Sequence, residues 1–196
     1  MTTTNQLIKL SNVRLVYPSL FEPKVWESKD GIEPMPKFEA TFILDKAAHA
    51  KEVNEINLRI DEILTPHKTN RAKLMQKGYK YIALKDSEVL DNPLDAYENS
   101  YVLKATSIPQ KPPVLLDQDA KTRVTDKNKF YSGCYVTAYI ELRVTTKHDM
   151  YVGANIMGVQ FIRDGEQIGG TVFNPEGMFE PVESPVTEMN EMDIPF

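Results

Sequence analysis

Beyond Arg163 the sequence has no lysine or arginine, although eight carboxylates follow: Asp164, Glu166, Glu176, Glu180, Glu183, Glu188, Glu191 and Asp193. That stretch is broken by Pro175, Pro181, Pro185 and Pro195 and carries no hydrophobic period for a helix or strand. It cannot bury enough apolar surface to offset its ordering entropy, so residues 176–196 are expected to form a disordered acidic tail. Other scarcities exclude whole classes. The one cysteine, Cys134, rules out an intramolecular disulfide and fits a reducing cytoplasm. No run approaches the ~18 apolar residues of a membrane span, and the polar start Met1-Thr2-Thr3-Thr4-Asn5-Gln6 is no signal peptide, so a cytoplasmic protein without a membrane is expected. His49, His67, His148 and Cys134 lack zinc-ligand spacing, and there is no Gly-rich Lys-Ser/Thr loop to cradle phosphates. No metal or other cofactor is expected.

What is present divides in two. The formal charge of −5 includes six carboxylates in residues 176–196; the remaining 22 acids face 23 bases, a net of +1 for residues 1–175. The low pI therefore reports the tail, and a neutral to slightly basic body is compatible with nucleic acid. Phe38, Ala40, Phe42 and Leu44 alternate with Lys37, Glu39, Thr41 and Ile43, the pattern of a half-buried strand. Asp45 then caps a helix to about Leu64, with Val53, Ile56, Ile60 and Ile63 on one face, ended by Thr65-Pro66. A short basic helix follows around Asn70–Gln76 and Gly78 closes it. Strands are expected at about 7–17, 79–85, 100–107, 131–146 and 151–163, a tight turn at Asp164-Gly165, and loops at 86–99 and 108–129. Short strands, a central amphipathic helix and long loops suit a mainly β, α+β domain over residues 1–175. The OB-fold, a five-stranded Greek-key barrel with an inserted helix, is the natural candidate, and other small barrels would give a similar pattern.

Residues 130–144 carry the clearest binding signal. Cys134, Val136, Ala138, Ile140, Leu142 and Val144 share an apolar face; Tyr131, Tyr135 and Tyr139 share the other, with Thr137, Glu141 and Arg143. Tyrosines spaced about 13–14 Å along a strand can stack unpaired bases, each stack being worth roughly 1–3 kcal/mol. The plain alternative is that they pack under a loop with their hydroxyls at the rim. On an 79–85 strand, Lys77, Tyr79, Tyr81 and Lys85 would likewise share a face beside Lys80, rings for bases and ammonium groups for phosphates. Lys104, Arg123, Lys127, Lys129 and Arg143 are further phosphate candidates, and Trp26 is either a stacking residue or a core anchor.

The chain ends in Asp193-Ile194-Pro195-Phe196, a Pro-fixed, Phe-terminated hook suited to a small basic pocket. An acidic tail alone is usually a solubility device, but this tip resembles that of bacterial single-stranded-DNA-binding proteins, apart from Met192 where a denser acidic run is usual. The body, too, resembles a known family. Leu15-Val16-Tyr17-Pro18-Ser19-Leu20-Phe21-Glu22-Pro23-Lys24, Lys104-Ala105-Thr106-Ser107, Lys111-Pro112-Pro113-Val114, Phe130-Tyr131-Ser132-Gly133-Cys134-Tyr135-Val136 and Val159-Gln160-Phe161-Ile162-Arg163-Asp164-Gly165-Glu166 are similar, in order, to a family of phage single-stranded-DNA-binding proteins, formerly a domain of unknown function of tailed phages. The resemblance implies an OB-fold that coats single-stranded DNA in phage replication and recombination within the host cytoplasm. It also implies a tail that recruits replication enzymes. The tail is further expected to compete with DNA for the groove, and a homo-oligomer is possible on this reading. Two other classes remain open: a phage structural or adaptor protein, and a metal-dependent nuclease built on Asp86, Glu88, Asp91 and Asp95, though acidic loops of this kind are usually solvated. A non-enzymatic protein is the expectation.

Overall fold

A computed structural model describes residues 7–25, 35–146 and 149–169. Seven strands and two α-helices follow one another: β1 (Ile8–Lys24), β2 (Lys37–Asp45), α1 (Ala50–Leu64), α2 (Arg71–Lys77), β3 (Leu84–Asp86), β4 (Ser100–Ser107), β5 (Val114–Leu116), β6 (Tyr135–Thr145) and β7 (Tyr151–Arg163). The sheet order is β3-β4-β2-β1-β6-β7-β5, and a parallel contact between β4 and β7 at Thr106 and Asn155 closes it on itself. Five strands thus form a barrel in which the last strand returns beside the third, the connectivity of an OB-fold.

Alternation in the strands fills the barrel. Leu10, Leu15, Phe42, Leu44, Leu103 and Ile140 point inward and are fully buried. Helix α1 lies between the second and third barrel strands and packs on β1 and β6 through Val53, Ile56, Ile60 and Leu64. Burying each such Leu or Ile is worth about 2 kcal/mol. The end of the buried stripe is Leu64, with Ile63 only partly buried. Asp45 does not cap α1 as expected: its Oδ1 accepts from the backbone N–H of Ala47 (2.9 Å) and Ala48 (2.7 Å) in the turn leading to the helix, whose own N-cap, His49, makes no side-chain cap bond. Asn70 caps α2 by accepting from Lys73 N–H, and Gly78 closes it at φ +136°.

Several sequence expectations are corrected. Strand β1 runs on to Lys24, because a register shift between Val16 and Ser19, with Tyr17 at φ +48°, bends it without ending it. Residues 79–85 are not one strand. Gly78 turns the chain into a tight 3-10 turn at Tyr79–Tyr81; Ile82 makes a single bridge to Val152, and the strand proper is Leu84–Asp86, paired with β4. Lys77, Tyr79, Tyr81 and Lys85 therefore share no strand face. Strand β6 begins at Tyr135, since Gly133 at φ +116° and a bond from Cys134 N–H to the Tyr131 carbonyl form a turn before it. The 108–129 loop contains β5, paired parallel to β7. Asp164-Gly165 is no tight turn: residues 164–168 follow an irregular path back along 131–134, where Ile168 N–H donates to the Ser132 carbonyl. That path and the 87–99 loop cover part of the barrel exterior. Val16, Ile43, Tyr97, Val102 and Ile168 form a second apolar cluster there, which is why Ile43 and Thr41 are buried although they face outward.

Candidate nucleic-acid interface

The exterior of the β6–β7 hairpin is built by its register. Tyr135 opposes Arg163, Thr137 opposes Gln160, Tyr139 opposes Gly158, Glu141 opposes Asn155, Arg143 opposes Gly153, and Thr145 opposes Tyr151. Near the hairpin tip, Arg143 donates to Asn155 Oδ1 (2.8 Å), Thr145 Oγ1 (2.8 Å) and the Tyr151 hydroxyl (3.1 Å), and its guanidinium lies 5.5 Å from the Tyr151 ring centroid. Gly153 makes room for this: a Cβ there would stand 3.2 Å from the guanidinium and 3.3 Å from the Tyr151 ring. Burial would raise the Tyr151 pKa, but the hydrogen bonds with Thr145 and Arg143 and the charges of Arg143 and Lys37 outweigh it and hold it below the ordinary value. Asn155 in turn donates to Glu141 Oε2 (3.0 Å).

This cluster continues onto the neighbouring strands. Thr106 of β4 stands between Asn155 of β7 and Glu39 of β2, and Lys104 pairs with Glu39 at 2.8 Å. Lys85 of β3 is half-buried, and burial, then the charge of Lys104, lowers its pKa. OB-folds bind oligonucleotides on the second and third strands and at the loops joining first to second and fourth to fifth. Here those are β2, β4 and the β1–β2 and β6–β7 connections, which Lys37, Arg143 and Tyr151 flank.

At the far end of the hairpin, Tyr135 has Arg163 Cζ 3.4 Å and Arg14 Cζ 5.7 Å from its ring centroid, one from each flanking strand. Tyr139 is 42% exposed beside Lys9 and Gly158, an open ring. Of the tyrosines expected on one strand face, Tyr135 and Tyr139 are there. Tyr131 lies in the preceding turn, partly buried, its hydroxyl within 3.0 Å of Asp164 Oδ1 and accepting from Gly165 N–H (3.0 Å).

The remaining candidates are dispersed. Tyr79 is exposed, while Tyr81 packs on the core with its hydroxyl 3.4 Å from Asp149 Oδ2. Lys80 lies 5.1 Å from the Tyr81 ring and Lys77 is exposed at the end of α2. Lys127 pairs with Glu22; Lys129 pairs with Asp117 at 2.6 Å and lies 5.0 Å from the Phe161 ring. Arg123 is exposed where the loop bridges back to Leu116. Trp26 and the tip Asp193, Ile194, Pro195 and Phe196 lie outside the described residues. As for catalytic groups, burial pushes the Cys134 thiol up to about 11, and Asp86 and Glu88 both bind Lys46 Nζ, at 2.9 and 2.6 Å.

Sequence reasoning missed Arg14, Arg163, Lys37 and Tyr151, because their roles arise across strands and a single sequence gives no register. Tyr17 was missed as well, a 55% exposed ring at positive φ. The Tyr17-Pro18 pair within a hydrophobic run was the available signal, since proline removes a ladder donor and invites a bulge.

Comparison with known proteins agrees with this fold. Residues 6–191 match the family model described as Enterobacter phage Enc34, ssDNA-binding protein. Protein p50 of Acyrthosiphon pisum secondary endosymbiont phage 1 is 29% identical over 170 residues, covering 83% of this chain and 86% of the relative. Among solved structures, the single-stranded DNA-binding protein from bacteriophage Enc34 in complex with ssDNA superposes with a TM-score of 0.69 at 26% identity, over 85% of this chain and 91% of that one. The single-stranded DNA binding protein gp2.5 of bacteriophage T7 shares the fold at 12% identity, with a TM-score of 0.53 over 91% and 99% of the two chains.

Proposed function

The chain belongs to the family of the Enterobacter phage Enc34 ssDNA-binding protein, and from that premise we propose that it binds and coats single-stranded DNA without sequence preference, in phage replication, recombination or repair. The observation that carries the reading is the likeness, across the body of the chain, to a relative whose solved structure holds ssDNA. The barrel exterior supports it chemically. Lys37, Lys85, Arg143 and Arg163 supply cations for phosphates, with Lys104 already paired to Glu39, and Tyr139 and Tyr151 supply ring surface for bases. Phosphate neutralisation releases counterions and makes affinity fall with salt, whereas stacking is indifferent to sequence. This is a binding activity with no chemical step, placed in the host cytoplasm.

In the same reading, residues 176–196 compete with DNA for the cationic face at low salt, and the Asp193–Phe196 tip recruits partner proteins once displaced. A labelled oligo-dT and a matched duplex, titrated at low and moderate salt with full-length and tail-deleted protein, test both parts. Salt-sensitive preference for the single strand, tightened by deletion of residues 176–196, is expected. Equal or weaker binding after deletion would remove the competition; no binding by either form would leave a phage adaptor role in front. Cleavage of the oligonucleotide with added magnesium or manganese would revive the nuclease.

A further inference from the structure

Arg163 is held in place by a ring instead of a carboxylate. Its Cζ lies 3.4 Å from the Tyr135 centroid, the contact distance of stacked planes. Among the described residues its one hydrogen bond is a 3.5 Å contact from Nη1 to the Asp164 carbonyl and it makes no ion pair, and it is exposed. Arg14, which approaches the same ring, is different. Its Nη2 donates to the Glu166 carbonyl (2.7 Å) and its Nε to the Gly133 carbonyl (3.5 Å), so its donors are committed to tying down the segment after β7. The ring is fixed too. A Cβ on Gly165 would stand 2.2 Å from the Gly133 carbonyl oxygen and 2.9 Å from the Tyr135 ring, so the backbone presses on the ring edge.

A guanidinium laid on a ring keeps its outer plane open and its N–H edge free, and a planar, weakly hydrated cation stacks well on nucleobases. Because Tyr135 already orders it, less side-chain entropy is lost on binding. Resting on the single-strand reading above, we infer that Arg163, backed by Tyr135, is itself the stacking surface for one unpaired base, with its N–H edge donating to the adjacent phosphate. Tyr135 is then a positioning residue that never touches the base. The site lies eight residues along β6 from Arg143, roughly 27 Å at strand rise, so it lengthens the footprint along the hairpin beyond the β2–β4 face.

The test uses the full chain with fluorescein-labelled oligo-dT and, in parallel, a baseless phosphodiester strand of equal length. Arg163→Ala is expected to weaken oligo-dT binding about tenfold and to lower the slope of log K against log salt by ~0.7. Arg163→Lys keeps the charge and loses the plane. It should bind oligo-dT about fivefold more weakly, yet bind the baseless strand as tightly as the unsubstituted protein. Tyr135→Leu should follow Arg163→Lys, with an unchanged salt slope. Oligo-dT binding by Arg163→Lys equal to the unsubstituted protein would reduce Arg163 to a point charge and overturn the stacking role. Unchanged binding by Arg163→Ala, with the unsubstituted protein still binding, would overturn the site alone. Failure of the unsubstituted protein to bind oligo-dT would overturn the single-strand reading and this inference together.

Discussion

The 117–129 loop and the exterior of the β6–β7 hairpin are both rich in cations, and they hold them in opposite ways. In and around the loop, ammonium groups meet carboxylates: Lys127 with Glu22, Lys129 with Asp117. On the hairpin, guanidiniums meet rings: Arg163 on Tyr135, Arg143 on Tyr151. An ion pair neutralises its cation and fastens a loop; a guanidinium held by a ring, openly as Arg163 or with hydrogen bonds to neutral groups as Arg143, keeps its charge and gains a fixed place. Equal counts of positive charge therefore have unequal value to a polyanion, and the stacked set carries the binding in this account.

The largest expected effect comes from disturbing the turn beside Tyr135 and Arg163. Gly133→Ala puts a Cβ 2.0 Å from the Glu166 carbonyl oxygen at φ +116°, and should cost ~3 kcal/mol in urea denaturation through overpacking and backbone strain. Next, Arg143→Ala should weaken oligo-dT binding about tenfold by anisotropy, since the proposed phosphate contact and the support of Tyr151 would both be lost. A smaller effect is expected from pH. Burial, then Lys104, lowers the Lys85 pKa, so as pH rises Lys85 loses its charge before an ordinary lysine does. Affinity should fall on the alkaline side within that window, and Lys85→Arg, which stays charged, should flatten the profile in a pH titration of binding. The smallest effect belongs to the paired set. Lys127→Ala should change oligo-dT affinity by less than about twofold, because the pair is exposed and its charge already balanced. A tenfold loss there would erase the contrast between the two regions.

Acid sharpens the same contrast. Hydrogen bonding to Lys129 holds the Asp117 carboxyl, and hydrogen bonding to Lys127 the Glu22 carboxyl, below the ordinary range. A lowered folded-state pKa contributes stability that is present above the unfolded value and lost as pH falls through the folded one. Hydrogen exchange should therefore show the 117–129 loop loosening below about pH 4 while the β6–β7 hairpin stays protected.

Much of the barrel was legible in the sequence because burial imposes a period. The β4 and β7 strands, most of the α1 stripe and the Gly78 stop follow from local rules that tertiary contacts did not override, whereas in β2 outside cover buries Thr41 and Ile43 against the alternation. The failures lie where one residue redirects the chain. Gly78 and Gly133 each turn a hydrophobic run that otherwise reads as strand, moving Tyr79, Tyr81 and Tyr131 off the faces assigned to them. The site was legible only in part for a different reason. Tyr135, Tyr139, Arg143, Lys85 and Lys104 stand out by spacing and charge, whereas Arg163, Arg14 and Tyr151 acquire meaning only from cross-strand register. Nor could spacing reveal that Lys127 is paired, since its partner Glu22 lies far away along the chain.

Photocrosslinking of the full-length protein to an oligonucleotide carrying 5-iododeoxyuridine, followed by peptide mapping, tests the central claim most directly. The account predicts adducts on the hairpin, at Tyr139 and Tyr151 and in the peptide containing Arg163. Adducts confined to the 117–129 loop or to α2, with the hairpin unlabelled, would contradict it.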